Sequence, residues 1–433
     1  MKLNPVAKNA SWIIVCRVIQ SLLQLVVGML CARYLGPGNY GLISYAAAVT
    51  AFALPFMRLG LNETLVRELV EAPDGEEEVM GTALVLNLVS AFACMGGVFV
   101  FASCANRGEG ETVAVCLLYS LSLLFGALEM VRYWFQYRLL AKYTALISLS
   151  AYGFVCLWRL WLLAAGKPVT WFALTASVDY GLIALGLILV FLRMGRRFRF
   201  SRARAAGMLR RSCPYIGASL MVVLFQNTDR IMLTRMAGSW ETGLYTAAVT
   251  CVTMGQFVYV AIVDSFRPVI LSREREARNE TISRLYGMVL YLAAAQGVVF
   301  TLFADGIVTL LYGAAYAGAV PVLKILNWYF VFSCMGLVRN VWILAEEKQK
   351  YLWIINLSGA AVNIALNLWW IPAAGARGAA FASLLTQCAA NFALGYVLPP
   401  IRENNRILLQ GLNPVRWRGI WNAGECHGTK RRN

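Results

Sequence analysis

Histidine is almost missing from this chain: the 433 residues hold one, His427, in the C-terminal tail. Cysteine is present at 11, but scattered singly, mostly within apolar runs such as "VVGMLCARYL" and "SLLTQCAANF". No C-x-x-C pair and no Cys/His group occurs, so a zinc site and a disulfide framework have no support. The thiols read as small buried apolar groups. No cluster of His, Asp or Glu suits acid–base chemistry, and no loop is large enough for a sugar-nucleotide site, which argues against an enzyme. Charge is thin as well, at 14% of residues, where soluble domains carry about 25%.

What fills the space is apolar: 59% of the residues are hydrophobic, and the mean hydropathy is +0.62. That exceeds what a water-soluble core can bury, and it suits a bilayer, where each span takes about 20 apolar residues. Twelve candidate helices stand out, near 12–32, 41–63, 80–103, 113–136, 144–165, 171–192, 213–234, 243–270, 285–304, 320–344, 351–371 and 376–398. Turn formers separate them, as in "GPGN", "EAPDG", "AAGKP" and "PAAGA". The first apolar stretch is too long for a signal-peptide core and contains Arg17, so it reads as a retained span.

The net charge of +17 suggests nucleic acid until its placement is read. With the N-terminus in the cytoplasm, the outer loops keep only Arg33, Arg107, Lys167, Arg235 and Arg377, and most other loop cations fall inside. This is a positive-inside pattern with both termini cytoplasmic, and it accounts for the excess without nucleic acid. The run "RELVEAPDGEEEV", 67–79, is acidic yet falls on the inner side; acidic residues contribute little to orientation. The segment 193–211 carries eight arginines and reads as a solvated linker that attracts anionic inner-leaflet lipid.

The sequence also repeats itself. "GLISYAAAVT", 41–50, returns as "GLYTAAVT", 243–250, and "KYTALISLS", 142–150, returns as "KYLWIINLS", 350–358. Both echoes step by six helices, which keeps the copies in one membrane orientation. The expected fold is therefore an all-α integral membrane protein of about twelve transmembrane helices. Its two six-helix lobes, 1–192 and 213–398, are expected to be related by a pseudo-twofold axis along the membrane normal. A basic cytoplasmic linker, 193–212, joins them, and a basic cytoplasmic tail, 399–433, follows.

Four stretches carry a family resemblance: "KNASWIIVCRVIQSLLQLVVGMLCARYLGPGNYG", "LGLNETLVREL", "NTDRIMLTRMAGSWETGLYTAAV" and "LLYGAAYAGAVPVLKIL". Over roughly 1–398 the chain resembles the O-antigen (Wzx-type) polysaccharide flippases of the multidrug/oligosaccharidyl-lipid/polysaccharide exporter superfamily. The resemblance implies a flippase without enzymatic activity in the bacterial cytoplasmic membrane. It would move an undecaprenyl-pyrophosphate-linked oligosaccharide from the inner to the outer leaflet by alternating access, for surface polysaccharide synthesis. Membrane lipid, a glycan polymerase and glycosyltransferases are the implied partners. No cofactor or metal is expected beyond a coupling proton or sodium ion.

Eight cations remain within the spans: Arg17, Arg58, Arg132, Arg159, Arg230, Arg267, Lys324 and Arg339. Each costs about 2.5–3.5 kcal/mol at a helix centre, so each must face protein or water. Arg17, Arg58, Arg267 and Arg339 fall at similar depth in the cytoplasmic third and are the candidates for binding pyrophosphate, which takes forked guanidinium hydrogen bonds. The resemblance places the helices of the first three along one cavity; snorkelling to inner headgroups is the other reading. Asp229 is the candidate for ion coupling or for pairing with a cation in another helix, with Asp264 and Asp179 behind it for coupling. Neighbouring Asp229 and Arg230 point apart on a helix, whereas Asp264 with Arg267 and Glu129 with Arg132, three apart, share a face. Two rivals stay open: an ion-coupled multidrug antiporter of the same superfamily, against which the cation-rich inner depth counts, and a membrane-embedded glycan polymerase or transferase.

Overall fold

The computed structural model describes residues 5–413, except for the side chains of 5–19, so the Arg17 side chain lies outside the described residues. The described chain is helical and contains no strand. The helices are α1 (Pro5–Arg58), α2 (Leu61–Glu71), α3 (Glu76–Ala105), α4 (Gly110–Leu128), α5 (Arg132–Tyr137), α6 (Ala141–Ala164), α7 (Val169–Arg193) and α8 (Arg202–Ala237). There follow α9 (Ser239–Thr253), α10 (Gln256–Leu271), α11 (Arg275–Leu302), α12 (Ala304–Tyr312), α13 (Ala319–Ala345), α14 (Lys350–Cys388), α15 (Leu394–Val397) and α16 (Arg402–Gly411).

Among the described residues, 8 helices are long and apolar enough to cross a membrane, or up to 9 with the bent pair α9–α10. This is a multi-pass membrane protein. Two of the stretches, Leu22–Glu71 and Lys350–Val397, run to 50 and 48 residues, more than twice one span. Each is broken at a glycine outside helical geometry, Gly36 (φ 70°) and Gly375 (φ 54°), the residue type that reaches positive φ without strain. With the long α8, whose first turns are arginine-rich, these breaks are consistent with the twelve crossings expected.

The duplication is written into the turns. Four positive-φ positions, Gly36, Gly108, Leu139 and Gly166, have counterparts in the same order at Gly238, Gly313, Glu347 and Gly375, while Leu59, Gly60 and Gly195 have none. Leu139 and Glu347 are the informative pair, because a residue with a side chain rarely adopts this conformation. The echo segments also touch. A Cβ on Gly41 would lie 1.8 Å from the Ser239 carbonyl oxygen, and one on Gly243 would lie 1.9 Å from that of Pro37. Both copies open with glycine because their backbones meet there. Gly41→Ala or Gly243→Ala is expected to destabilise the protein by about 1–3 kcal/mol, the usual range for overpacking; a thermal melt followed by size-exclusion chromatography measures it.

Packing divides the chain into two compact units, Met1–Gly243 with Leu311–Ala315, and Leu244–Leu310 with Tyr316–Asn433. The first packs Tyr45, Val49, Met57, Leu123 and Phe172 into one apolar core and Leu61, Leu65, Met80, Trp134, Phe191 and Met208 into another. Met208 belongs to α8, so α8 contributes to the first unit, and it begins at Arg202, inside the expected linker, rather than near 213.

In the second unit the expected helix 243–270 is bent by 41° between α9 and α10. Gln296 of α11 reaches the break: its Nε2 donates to the Val252 carbonyl at 3.3 Å, and its Oε1 accepts from the Tyr259 hydroxyl at 2.8 Å. An inserted polar side chain of this kind is a recognised cause of helix bending. The start of the expected cytoplasmic tail is folded. In α16, Asn404, Asn405, Ile407 and Leu408 are buried, and the Tyr286 hydroxyl donates to Asn404 Oδ1 at 3.0 Å.

Candidate functional site

The apolar interior of the first unit contains a run of charge, assembled from helix ends that the sequence keeps far apart. Arg58 ends α1, and Glu129 lies in the single 3-10 turn between α4 and α5. Glu129 is 6% exposed, with its Oε1 2.7 Å from the guanidinium of Arg132, the first residue of α5. Arg58 is close enough to act electrostatically on Glu129 and on Tyr133 and Tyr180. Arg58 itself forms no hydrogen bond or ion pair among the described residues.

Deeper in the same unit, α6 and α7 add a second level. Arg159 donates from NH2 to Thr175 Oγ1 at 3.1 Å, and it acts electrostatically on Asp179 and Tyr152. Asp179 Oδ1 and the Tyr152 hydroxyl are buried polar atoms without hydrogen-bond partners. Tyr119 of α4 connects this level to both neighbours, since Tyr180, Arg159 and Arg230 of α8 all act on it. The result is a ladder of four arginines, Arg58, Arg132, Arg159 and Arg230, with two acids, Glu129 and Asp179, beside it. Glu63 also acts on Tyr133, and the buried Asp229 precedes Arg230 on α8, so acids and arginines are interleaved along the ladder. Charge among apolar helices is costly, so each of these groups must face protein or water.

The remaining expected residues are placed differently. Asp229 is buried at 8% exposure on α8 and is not free of partners. Arg267 and Asp264 belong to the second unit; they pair at 3.2 Å, both half-exposed. Lys324 lies 3.5 Å from Asp305. Arg339 lies in the second unit. It is 5% exposed, its NH1 donates at 2.7 Å to the carbonyl of Ala390, in the π-helical turn Ala389–Ala393 that follows α14, and its Nε is buried without a hydrogen-bond partner among the described residues.

Reading the sequence for depth alone missed Arg132 and Arg159 as members of the site, and Tyr180 entirely. Their signal was only an isolated cation or hydroxyl in an apolar run. Which cations share a bundle became visible only once the helices were packed. Among the described residues no group of three or more His, Cys, Asp or Glu could hold a metal ion.

Residues 6–273 match the polysaccharide biosynthesis protein family. The chain belongs to that family. It is 19% identical over 392 residues to the capsular polysaccharide biosynthesis protein CapF of Staphylococcus aureus, covering 88% of this chain and 96% of that protein. It is 25% identical over 331 residues to the succinoglycan biosynthesis transport protein ExoT of Rhizobium meliloti, covering 74% of this chain and 65% of that one. Among solved structures, an inward-facing multidrug resistance MATE family transporter of the MOP superfamily superposes with a TM-score of 0.70 at 15% identity, over 90% of this chain and 95% of that chain. The lipid II flippase MurJ, in an inward closed conformation, also superposes with a TM-score of 0.70, at 14% identity over 97% and 93%. The fold is that of the MOP-superfamily transporters.

Proposed function

We propose that this protein is a flippase that carries a lipid-linked oligosaccharide, with a pyrophosphate headgroup on an undecaprenyl carrier, from the inner to the outer leaflet of a bacterial cytoplasmic membrane. The observation that carries the reading is the arginine ladder of the first unit. Guanidinium groups hold their proton and present forked donors that match phosphate oxygens. Two levels of them allow the anion to be passed inward-to-outward, from Arg58 and Arg132 to Arg159 and Arg230, without leaving cationic surroundings. The names of CapF, ExoT and MurJ support the same class of cargo.

In this reading no bond is made or broken, and direction comes from alternating access. A coupling proton or sodium ion would act at Asp179, whose carboxylate faces the ladder with one oxygen unpartnered, or at Asp229. Arg17 is kept as a headgroup contact from its place in the sequence, and both termini are placed in the cytoplasm. A glycan polymerase and glycosyltransferases would consume and supply the cargo. The multidrug antiporter reading fits less well, because a cationic drug would meet four arginines.

The test is export in a bacterial strain lacking its own flippase. Surface glycan should return when this protein is expressed, while resistance to ethidium should not change. Raised ethidium resistance with no surface glycan would replace the flippase reading with the antiporter.

A further inference from the structure

The acidic run 67–79 and the arginine-rich segment 193–211, more than one hundred residues apart in sequence, are one structure. The chain leaves α7 through Gly195 (φ 75°) and runs without helix until Arg202. Along this stretch alternate backbone amides are taken up by the first turns of α3. The amide of Arg197 donates to Glu77 Oε1 at 3.1 Å, that of Arg199 to the Glu77 carbonyl at 3.0 Å, and that of Ser201 to Thr82 Oγ1 at 3.0 Å. Phe198 stacks on Phe191 with centroids 4.7 Å apart.

Side chains repeat the attachment. Arg199 pairs with Glu77 at 3.3 Å, Arg204 with Glu78 at 2.9 Å, and Arg211 with both Glu68 and Glu71 at 3.1 and 2.8 Å. Glu76, 3% exposed, accepts from Trp134 Nε1 at 2.8 Å and pairs with Arg138 at 2.6 Å. The approach is close enough to require glycine at one position: a Cβ on Gly81 would lie 2.3 Å from the Arg199 carbonyl oxygen. Glu76, Glu77 and Glu78 also sit in the first turn of α3, where the helix dipole favours negative charge.

Exposed ion pairs are individually weak. Here backbone bonds and a stacked ring fix the same segment, Arg196 lies 3.8 Å from the buried Glu76 carboxylate, and the acids that seemed misplaced by the charge rule become its receptor. What the segment holds is α8. Beyond the clamp, the Ser212 carbonyl of α8 lies so near Gly60 that a Cβ there would come within 2.2 Å. Farther along the same helix stands Arg230, whose neighbour Ile231 packs against the apolar core of the first unit and which acts electrostatically on Tyr119.

We propose that segment 195–204 is a clamp that keeps α8 in the first unit and thereby positions Arg230 in the arginine ladder. Its functional consequence rests on the flippase reading; the clamp itself does not. Arg199, Arg204, Glu77 and Glu78 are positioning residues, acting on cargo only through α8.

Hydrogen exchange followed by mass spectrometry on the full-length protein reads the clamp directly, and flippase-strain export reads its consequence. In the parent, the amides of 197, 199 and 201 should be protected. Glu77→Lys with Glu78→Lys should speed their exchange at least tenfold and cut export about tenfold. Adding Arg199→Glu and Arg204→Glu should restore both to within about twofold. Gly81→Val should free the same amides with every charge retained. Once the clamp is open, Arg230→Ala should cost little more, because both changes remove the same positioned group. Unchanged exchange in both the charge-reversed and Gly81→Val proteins would overturn the clamp. Faster exchange with parental export, or a full additive loss on adding Arg230→Ala, would overturn the positioning of Arg230. If the parent exports no glycan, the exchange results still decide the clamp, so the two failures are distinguishable.

Discussion

Arg58→Ala is expected to reduce glycan export by tenfold to about 100-fold while leaving membrane insertion and folding intact. The magnitude follows from losing one charge-assisted hydrogen-bonding group, worth about 1.5–3 kcal/mol, at about 1.4 kcal/mol per factor of ten. The substitution is clean because Arg58 holds no hydrogen bond or ion pair among the described residues, so no partner is orphaned. Arg132 is the instructive contrast. Its loss would strand Glu129, 6% exposed, and breaking a buried pair costs about 3–5 kcal/mol. Arg132→Ala should therefore lower the amount of folded protein, whereas Arg132→Gln with Glu129→Gln should recover the protein but not the export. Lys at position 58 should restore export only in part, since it returns the charge without the planar fork. Export and membrane-fraction protein level, measured together for each variant, check this. Parental export by Arg58→Ala would take the residue out of the site and leave it as an arginine reaching for inner-leaflet headgroups.

Asp179→Asn is expected to uncouple transport. The two side chains are nearly the same size, and one oxygen of Asp179 is buried without a partner, so the fold has little to lose. The charge is what changes. A carboxylate that binds and releases a cation beside Arg159 can alter the balance of the ladder through the cycle; an amide cannot. Export by Asp179→Asn should fall about tenfold and lose its response to an imposed proton or sodium gradient, a factor equivalent to about 1.4 kcal/mol. Asp179→Glu should keep part of that response. Asp229→Asn is the comparison, because Asp229 is engaged by neighbours and its loss should lower folded protein first. A parental gradient response in Asp179→Asn would move coupling away from this residue.

The parts of the molecule readable from sequence are those written in local pattern. Apolar runs marked the spans, and two short echoes announced the duplication that the paired turns Leu139 and Glu347 carry in the backbone. Glu129–Arg132 and Asp264–Arg267 were legible because three-residue spacing puts both groups on one helix face. What escaped depends on distant chain. Gln296 bends the helix at Thr253 from another element. The hydrogen bond of Arg339 to the Ala390 carbonyl reaches about fifty residues along the chain. The acids of 67–79 looked like an exception to the charge rule because their partners lie beyond four intervening helices. Asn404 and Asn405 read as tail because burial of two consecutive amides makes sense only against α11 and the turn before α15.

The most direct test of the central claim is transport by the purified protein. It would be reconstituted into vesicles of phosphatidylethanolamine and phosphatidylglycerol containing a fluorescent undecaprenyl-pyrophosphate trisaccharide, with a glycosidase added outside. Cleavage is expected to rise from the outer-leaflet half of the probe to nearly all of it, and Arg58→Ala to hold it near half. Cleavage that stays at half with the parent protein, in vesicles where the same preparation moves ethidium across the membrane, would contradict it.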